Sequence, residues 1–323
     1  MLKVWCHGHV GYDIYKDDIL CPSQEEAKAL IQENPTSSRL HIGGKGLNFA
    51  YALVRAGVSA LLSGFIGNDA LGARLEEECA KYGIATKLYR ASSKTFACWI
   101  DENDLKVLQD GNVTKTEVSA PSFYAPNAVV LHAISDERFL PSLVQAAKEN
   151  GNLLVFNPAP IENLKSLAPI HQADLLIANE HEAKAIAKMT GTSICGPLQL
   201  AGQLQKELKK NVVVTLGSRG VSAAFGDRHF YEASFPSKVI DAVGAGDAFL
   251  GFFLASYLRG QSISQSLQYG AAAGALACEV RGAIRPDLSV HIVEQHIAQN
   301  LCQKPRNQMR NGGKYPAVLH FGS

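Results

Sequence analysis

The chain has 323 residues, 46% of them hydrophobic, and a formal net charge of +1. That supplies a core for one large α/β domain or two small ones, and a charge so close to neutral gives no reason to expect a nucleic-acid partner or a membrane surface. Seven cysteines lie scattered without a Cys-x-x-Cys pair, so they read as reduced, mostly buried thiols rather than as a zinc site or a disulfide framework.

In chain order, a strand-like Leu2-Lys3-Val4-Trp5-Cys6 comes first. It carries none of the basic, apolar, small-residue pattern of a secretory signal, so the expected location is cytoplasmic. Residues from about 13 to 42 join this strand to Gly43-Gly44, and 24–34 within them is polar and helix-prone. A helical pattern at 47–56, a strand at 60–66 and a helical pattern at 71–82 follow. Residues 95–108 alternate in part around Asp101-Glu102-Asn103-Asp104 and read as a hairpin. Short apolar runs at 128–132, 153–157, 175–178 and 212–215 then alternate with helical patterns at 139–149, 180–189 and 198–208. Such runs suit strands buried on both faces. The alternation predicts a doubly wound, mostly parallel sheet with helices on both faces, and ligands beyond the carboxyl ends of its strands. The longest apolar stretches, 242–258 and 271–278, are broken by Asp247 or too short to span a bilayer. Residues 303–323 carry Lys304, Arg306, Arg310 and Lys314 without periodicity, and are expected to form a flexible basic tail.

The most informative run is Asp241-Ala242-Val243-Gly244-Ala245-Gly246-Asp247. Its two glycines permit a tight turn and close approach of a ligand to the backbone, and the apolar residues after it read as a buried helix ending near Arg259-Gly260. The first N–H groups of that helix, those of Ala245, Gly246 and Asp247, have no intrahelical partner and can hold a phosphate. A carboxylate there repels the anion unless it has a chemical task, such as deprotonating a hydroxyl that attacks the bound phosphate. The alternative is an ordinary first-turn acid favoured by the helix dipole.

Further motifs accompany this run. Gly43-Gly44-Lys45-Gly46-Leu47-Asn48 lies near the N-terminus, followed by Asn157-Pro158-Ala159-Pro160, Asn179-Glu180-His181-Glu182 and Thr215-Leu216-Gly217-Ser218-Arg219-Gly220. Lys45 does not make a P-loop, because the four-residue gap and the Ser/Thr after the lysine are missing. In this order and spacing the motifs resemble those of the ribokinase-like carbohydrate kinases, the phosphofructokinase-B type, over roughly residues 1–302.

The resemblance implies an ATP-dependent sugar kinase that phosphorylates a hydroxymethyl oxygen, with Asp247 as general base on the Gly244-Ala245-Gly246 turn. A nucleoside kinase or a sugar-phosphate kinase of the same family is the alternative, and a catalytically silent sugar or nucleotide sensor is the competitor from another class. Sugar contacts would fall to Asp13, Gly43, Gly44, Lys45 and Asn48. Nucleotide contacts would fall to Asn179, Thr215, Gly217, Gly220 and Gly246. Magnesium would be placed through water by Asn179 and Glu182. A monovalent cation, potassium, would use the Asp241 carboxylate and backbone carbonyls near Val243, Ala277, Val280 and Gly282. In the family, segments about 13–42 and 94–115 form a small sheet that lids the sugar site and forms a dimer clasp, so a homodimer through the lid is the oligomer implied. The helix-prone 24–34 departs from that pattern and predicts a partly helical lid. Two further departures touch ligands: Ile134, in His132-Ala133-Ile134-Ser135, stands where ribokinases place a sugar-holding carboxylate, and Asp241-Ala242 replaces Asp-Thr.

Overall fold

The computed structural model describes residues 2–19, 23–91, 94–101, 104–109, 128–132 and 140–303. The chain begins with β1 (Lys3–His7), β2 (Gly11–Tyr15), α1 (Lys16–Ile19), α2 (Gln24–Glu33), β3 (His41–Gly43) and α3 (Lys45–Arg55). It continues through β4 (Ser59–Gly67), α4 (Ala70–Lys81), β5 (Ala85–Ala91), β6 (Phe96–Asp101), β7 (Asp104–Gln109), β8 (Ala128–His132), α5 (Leu140–Glu149) and β9 (Leu153–Asn157). After α6 (Ala168–Gln172) come β10 (Leu175–Asn179), α7 (Glu180–Thr190), α8 (Leu200–Leu208), β11 (Asn211–Thr215), β12 (Val221–Phe225) and β13 (Arg228–Glu232). Three helices close the described chain: α9 (Ala245–Leu258), α10 (Ile263–Ala277) and α11 (Val290–Gln303).

Nine strands form one sheet in the order β13-β12-β11-β10-β9-β8-β1-β4-β5. Those from β11 to β5 pair in parallel, and only the β11-β12 and β12-β13 pairs are antiparallel. The chain winds outward from β1 to β5, returns to β8 on the other side of β1, and winds outward again. That reversal beside β1 is the switch point at which open α/β sheets leave a crevice for ligands. Alternation along each central strand feeds two cores. Val4, Cys6, Ile177 and Val213 enter one, while Trp5, Leu176, Val212 and Val214 enter the other. The expected doubly wound architecture is therefore present, and no helix among the described residues is long and apolar enough to cross a membrane.

A second sheet, ordered β3-β2-β6-β7, stands apart from the first. The expected hairpin is its β6-β7 pair. The helix expected within 13–42 is α2, which starts where the Ser23 side chain accepts the Glu26 N–H and buries Ala27 and Ile31 four residues apart. Of the expected lid segments, residues 110–115 lie outside the described residues. So does Ile134, and so does the expected tail from 304 onward. Gln303, expected to open that tail, still belongs to α11.

Helix α9 is apolar on all sides, and every residue from Asp247 to Ser256 is buried, as suits a helix enclosed by neighbours. It packs against α3 on one face, where two rungs four residues apart meet. Asn48 faces Asp247 on one rung, and Ala52 faces Gly251 on the next. The second rung sets the spacing, because a Cβ on Gly251 would lie 2.4 Å from the Ala52 Cβ. Gly251→Ala should therefore destabilise the fold. The helix-propensity gain of about 1 kcal/mol is outweighed by overpacking of about 1–3 kcal/mol. Urea denaturation reads this as a lower midpoint at unchanged slope, and a raised midpoint would mean that α3 yields without strain.

Candidate functional site

The site is assembled at the carboxyl ends of the strands. After β1 the chain turns at Gly8-His9, and the His9 carbonyl accepts the Gly46 N–H at 2.9 Å, which anchors the first turn of α3. Strand β2 then presents Asp13, 6% exposed, against the backbone of Gly43. A Cβ on Gly43 would lie 2.2 Å from Asp13 Oδ2, so only glycine lets the carboxylate sit there. Gly44 caps α3 at a φ of 92°, a left-handed value that favours glycine.

Helix α9 supplies the other wall. Gly244 precedes it at a φ of 79°, pressed against the 278–283 loop so closely that a Cβ would lie 2.5 Å from the Ala283 oxygen. Of the three N–H groups expected to hold an anion, that of Ala245 already donates to the Ala242 carbonyl at 3.3 Å. The N–H groups of Gly246 and Asp247 have no acceptor among the described residues. A Cβ on Gly246 would meet nothing within 4 Å, so the turn is open on that side.

Asp247, 4% exposed, is the centre of the cluster. Its Oδ1 lies 3.5 Å from Lys45 Nζ, whose side chain is 40% exposed, and its Oδ2 accepts the Asn48 amide at 3.2 Å. Asn48, expected to grip sugar hydroxyls, donates to Asp247, and its buried Oδ1 has no partner among the described residues. Burial, then the charges of Asp247 and Asp241, push the Asp13 carboxyl up to about 7 despite Lys45 nearby. The Lys45 ammonium is held above its usual range, chiefly by Asp247.

Strands β10 and β11 end side by side, with Asn179 in register with Thr215. Asn179 and Glu182 form a reciprocal capping box at the start of α7. Asn179 Oδ1 accepts the Glu182 N–H and Glu182 Oε2 accepts the Asn179 N–H, each at 2.8 Å. Burial raises the Glu182 pKa, and the charges of Lys45 and Asp247 both reach it. The pair holds one carboxylate oxygen in reserve, and no group of three His, Cys, Asp or Glu among the described residues could bind a metal ion directly. This donor set fits magnesium held through water and phosphate. Beyond Thr215, Gly217–Arg219 form a short 3-10 turn ended by Gly220. The turn is tied to α7 by Arg219, whose guanidinium pairs with Glu180. Nothing in the motifs had singled out that pair.

The remaining predicted residues gather behind the anion-binding turn. Asp241 Oδ1 accepts the Val243 N–H at 3.0 Å, and its Oδ2 accepts the Gly282 N–H at 2.9 Å and the Tyr15 hydroxyl at 2.6 Å. Asp241 is thus tied to the backbone of both Val243 and Gly282, two of the residues whose carbonyls were expected to join it around a monovalent cation. Tyr15 was not legible as a site residue, because its partner lies 226 positions away.

Residues 10–289 match the model of the pfkB family carbohydrate kinases. A ribokinase from Schizosaccharomyces pombe is 27% identical over 303 residues, covering 88% of this chain and 94% of the relative. Among solved structures, a fructokinase double mutant from Vibrio cholerae O395 with fructose, ADP and potassium ion superposes with a TM-score of 0.75 at 20% identity, covering 92% of this chain and 98% of that one. A putative ribokinase II from E. coli in complex with ATP and magnesium gives a TM-score of 0.73 at 21% identity, covering 93% and 100%. These likenesses bear out the fold, and the family match spans every motif from Asp13 to Gly282: the chain belongs to the pfkB family of carbohydrate kinases, phosphotransferases that act on the hydroxyl groups of sugars.

Proposed function

We propose that this kinase transfers the γ-phosphoryl group of ATP to a hydroxymethyl oxygen of a small carbohydrate, with Asp247 as general base. One observation carries the reading: a buried carboxylate sits in the first turn of α9, beside two N–H groups without an acceptor among the described residues and next to a Gly246 that is open on its Cβ side. The substrate oxygen attacks the γ-phosphorus while its proton passes to Asp247. The bond from phosphorus to the β–γ bridging oxygen breaks, and ADP leaves. The Gly246 and Asp247 N–H groups steady charge on the transferring oxygens. Lys45 and Asn48 hold the Asp247 carboxylate in place, and Asp13 accepts sugar hydroxyls as a bidentate acceptor. Asn179, Thr215, Gly217 and Gly220 line the nucleotide side.

Magnesium, when bound beside Glu182 and Asn179, supplies charge neutralisation for the phosphates. Potassium fits the Asp241 loop, and the ATP, magnesium and potassium in the neighbours' structures support these assignments for this chain. The sheet of β2, β3, β6 and β7 acts as the lid over the sugar.

The deciding experiment is ADP release with pentoses, ketohexoses, nucleosides and phosphosugars, with and without potassium. Ribose should be a poor substrate, because Ile134 replaces the carboxylate that would hold it and a polar grip lost from a pocket weakens discrimination in its favour. Turnover of none of these compounds would refute the kinase reading. Ribose as the best substrate would refute the specificity argument alone.

Asp247→Asn should cut kcat by roughly 10²–10⁴-fold, the usual worth of a general base, with ATP affinity nearly intact. A variant that keeps most of its turnover removes Asp247 from the role.

Asp13 gives a pH signature. Its carboxyl stands at about 7, above the ordinary 3.8, so the folded protein binds this proton more tightly than the unfolded chain. Its contribution to stability is fully present below the ordinary value and is lost as pH rises through about 7. Sugar hydroxyls need the ionised acceptor. KM for the sugar should therefore rise as pH falls below about 7, and Asp13→Asn should raise KM and abolish that inflection. A sugar KM profile that is flat with pH in the parent enzyme contradicts the assignment.

A further inference from the structure

Strand β2 carries two polar side chains on one face, because residues two apart on a strand point the same way. Asp13 is one, against Gly43. Tyr15 is the other, and its hydroxyl donates to Asp241 Oδ2 at 2.6 Å. Asp241 accepts the Val243 N–H through its other oxygen at 3.0 Å, one residue before the turn that leads to Asp247. The same Asp241 Oδ2 takes the Gly282 N–H at 2.9 Å, and the 278–283 loop backs Gly244 through Ala283. One carboxylate thus links the lid strand, the turn and the loop behind it.

The junction is reinforced from both sides. The Arg281 guanidinium lies 4.7 Å over the Tyr15 ring, and its Nη2 is 3.6 Å from Asp17 Oδ2 on α1. The His41 ring of β3 meets Tyr15 edge-on at 5.4 Å. A tyrosine ring without its hydroxyl would still fill this space, and the hydroxyl is the part that reaches Asp241.

We propose that Tyr15 is a positioning residue for phosphoryl transfer: through Asp241 it couples the strand that grips the sugar to the anion-binding turn ahead of Asp247. A sugar that seats Asp13 then also orders the N–H groups that receive the γ-phosphate. The inference rests on the kinase reading above and adds a residue and a coupling to it.

Tyr15→Phe removes only the hydroxyl. Losing a hydrogen bond to a charged acceptor predicts a fall in kcat of roughly 10–100-fold, with sugar affinity in the absence of nucleotide within about twofold and a thermal unfolding transition that stays cooperative and falls by only a few degrees. A second readout needs no turnover: calorimetric titration of a non-hydrolysable ATP analogue with and without the best sugar of the screen. In the parent enzyme sugar should tighten the analogue, and in Tyr15→Phe that tightening should be lost. In a cycle with Asp241→Asn, the double variant should be no worse than the worse single one, as for two residues acting through one bond. Unchanged kcat and unchanged tightening in Tyr15→Phe, or additive losses in the cycle, overturn the coupling and leave the kinase reading standing. A parent enzyme that turns over no sugar overturns both.

Discussion

The Asp247 carboxylate is buried to 4% exposure, and three interactions offset its lost hydration. The first turn of α9 presents its positive end, Lys45 Nζ lies at 3.5 Å, and the Asn48 amide donates at 3.2 Å. Two of the three come from α3, so the register of α3 against α9 decides whether the cluster exists. Ala52 against Gly251 sets that register one turn further along both helices. The start of α3 is fixed in turn by the Gly46 N–H on the His9 carbonyl. A chain of close backbone contacts therefore runs from the end of β1 to the acid on α9. Substitutions far from any ligand act on the site through it.

Much of this was legible because the responsible signals are local. The runs at 128–132, 153–157, 175–178 and 212–215 are apolar enough to be buried on both faces, and each is a strand. The polar, helix-prone composition of 24–34 marks α2 within a segment that a purely β-sheet lid would have filled with strands. The Gly43-Gly44 and Gly244–Asp247 runs need backbone conformations and close approaches that glycine alone permits.

Where sequence reading stopped, the cause was distance or weak patterning. Strand β5 reads Ala-Thr-Lys-Leu-Tyr-Arg-Ala, and as the edge of its sheet it needs no continuous apolar run. The β12-β13 hairpin is likewise peripheral, and β2 and β3 are short. The bond of Asn48 to Asp247 could not be read from its motif alone; only the packing of α3 on α9 brings the two together. Asn179 and Glu182 look like ligands by spacing, yet the same spacing makes a capping box, and one pair can serve both ends.

The charge balance of the cleft ties these pieces together. Asp13, Asp241, Asp247 and Glu182 act on one another or on Lys45, the one ammonium that offsets them among the described residues. An anion-binding turn set among so many acids would repel a bare triphosphate. Two features relieve the conflict. Asp13 takes up a proton near neutrality, which in the proposed mechanism removes one charge until sugar hydroxyls arrive to stabilise the ionised form. The other acids leave room for the cation that accompanies the nucleotide, since Glu182 keeps one oxygen outside its capping box. In the proposed reaction the surplus acid would make the turn selective: a phosphate would be admitted together with its counter-ion, and Asp247 would meet the substrate hydroxyl in a cleft whose charge is already balanced.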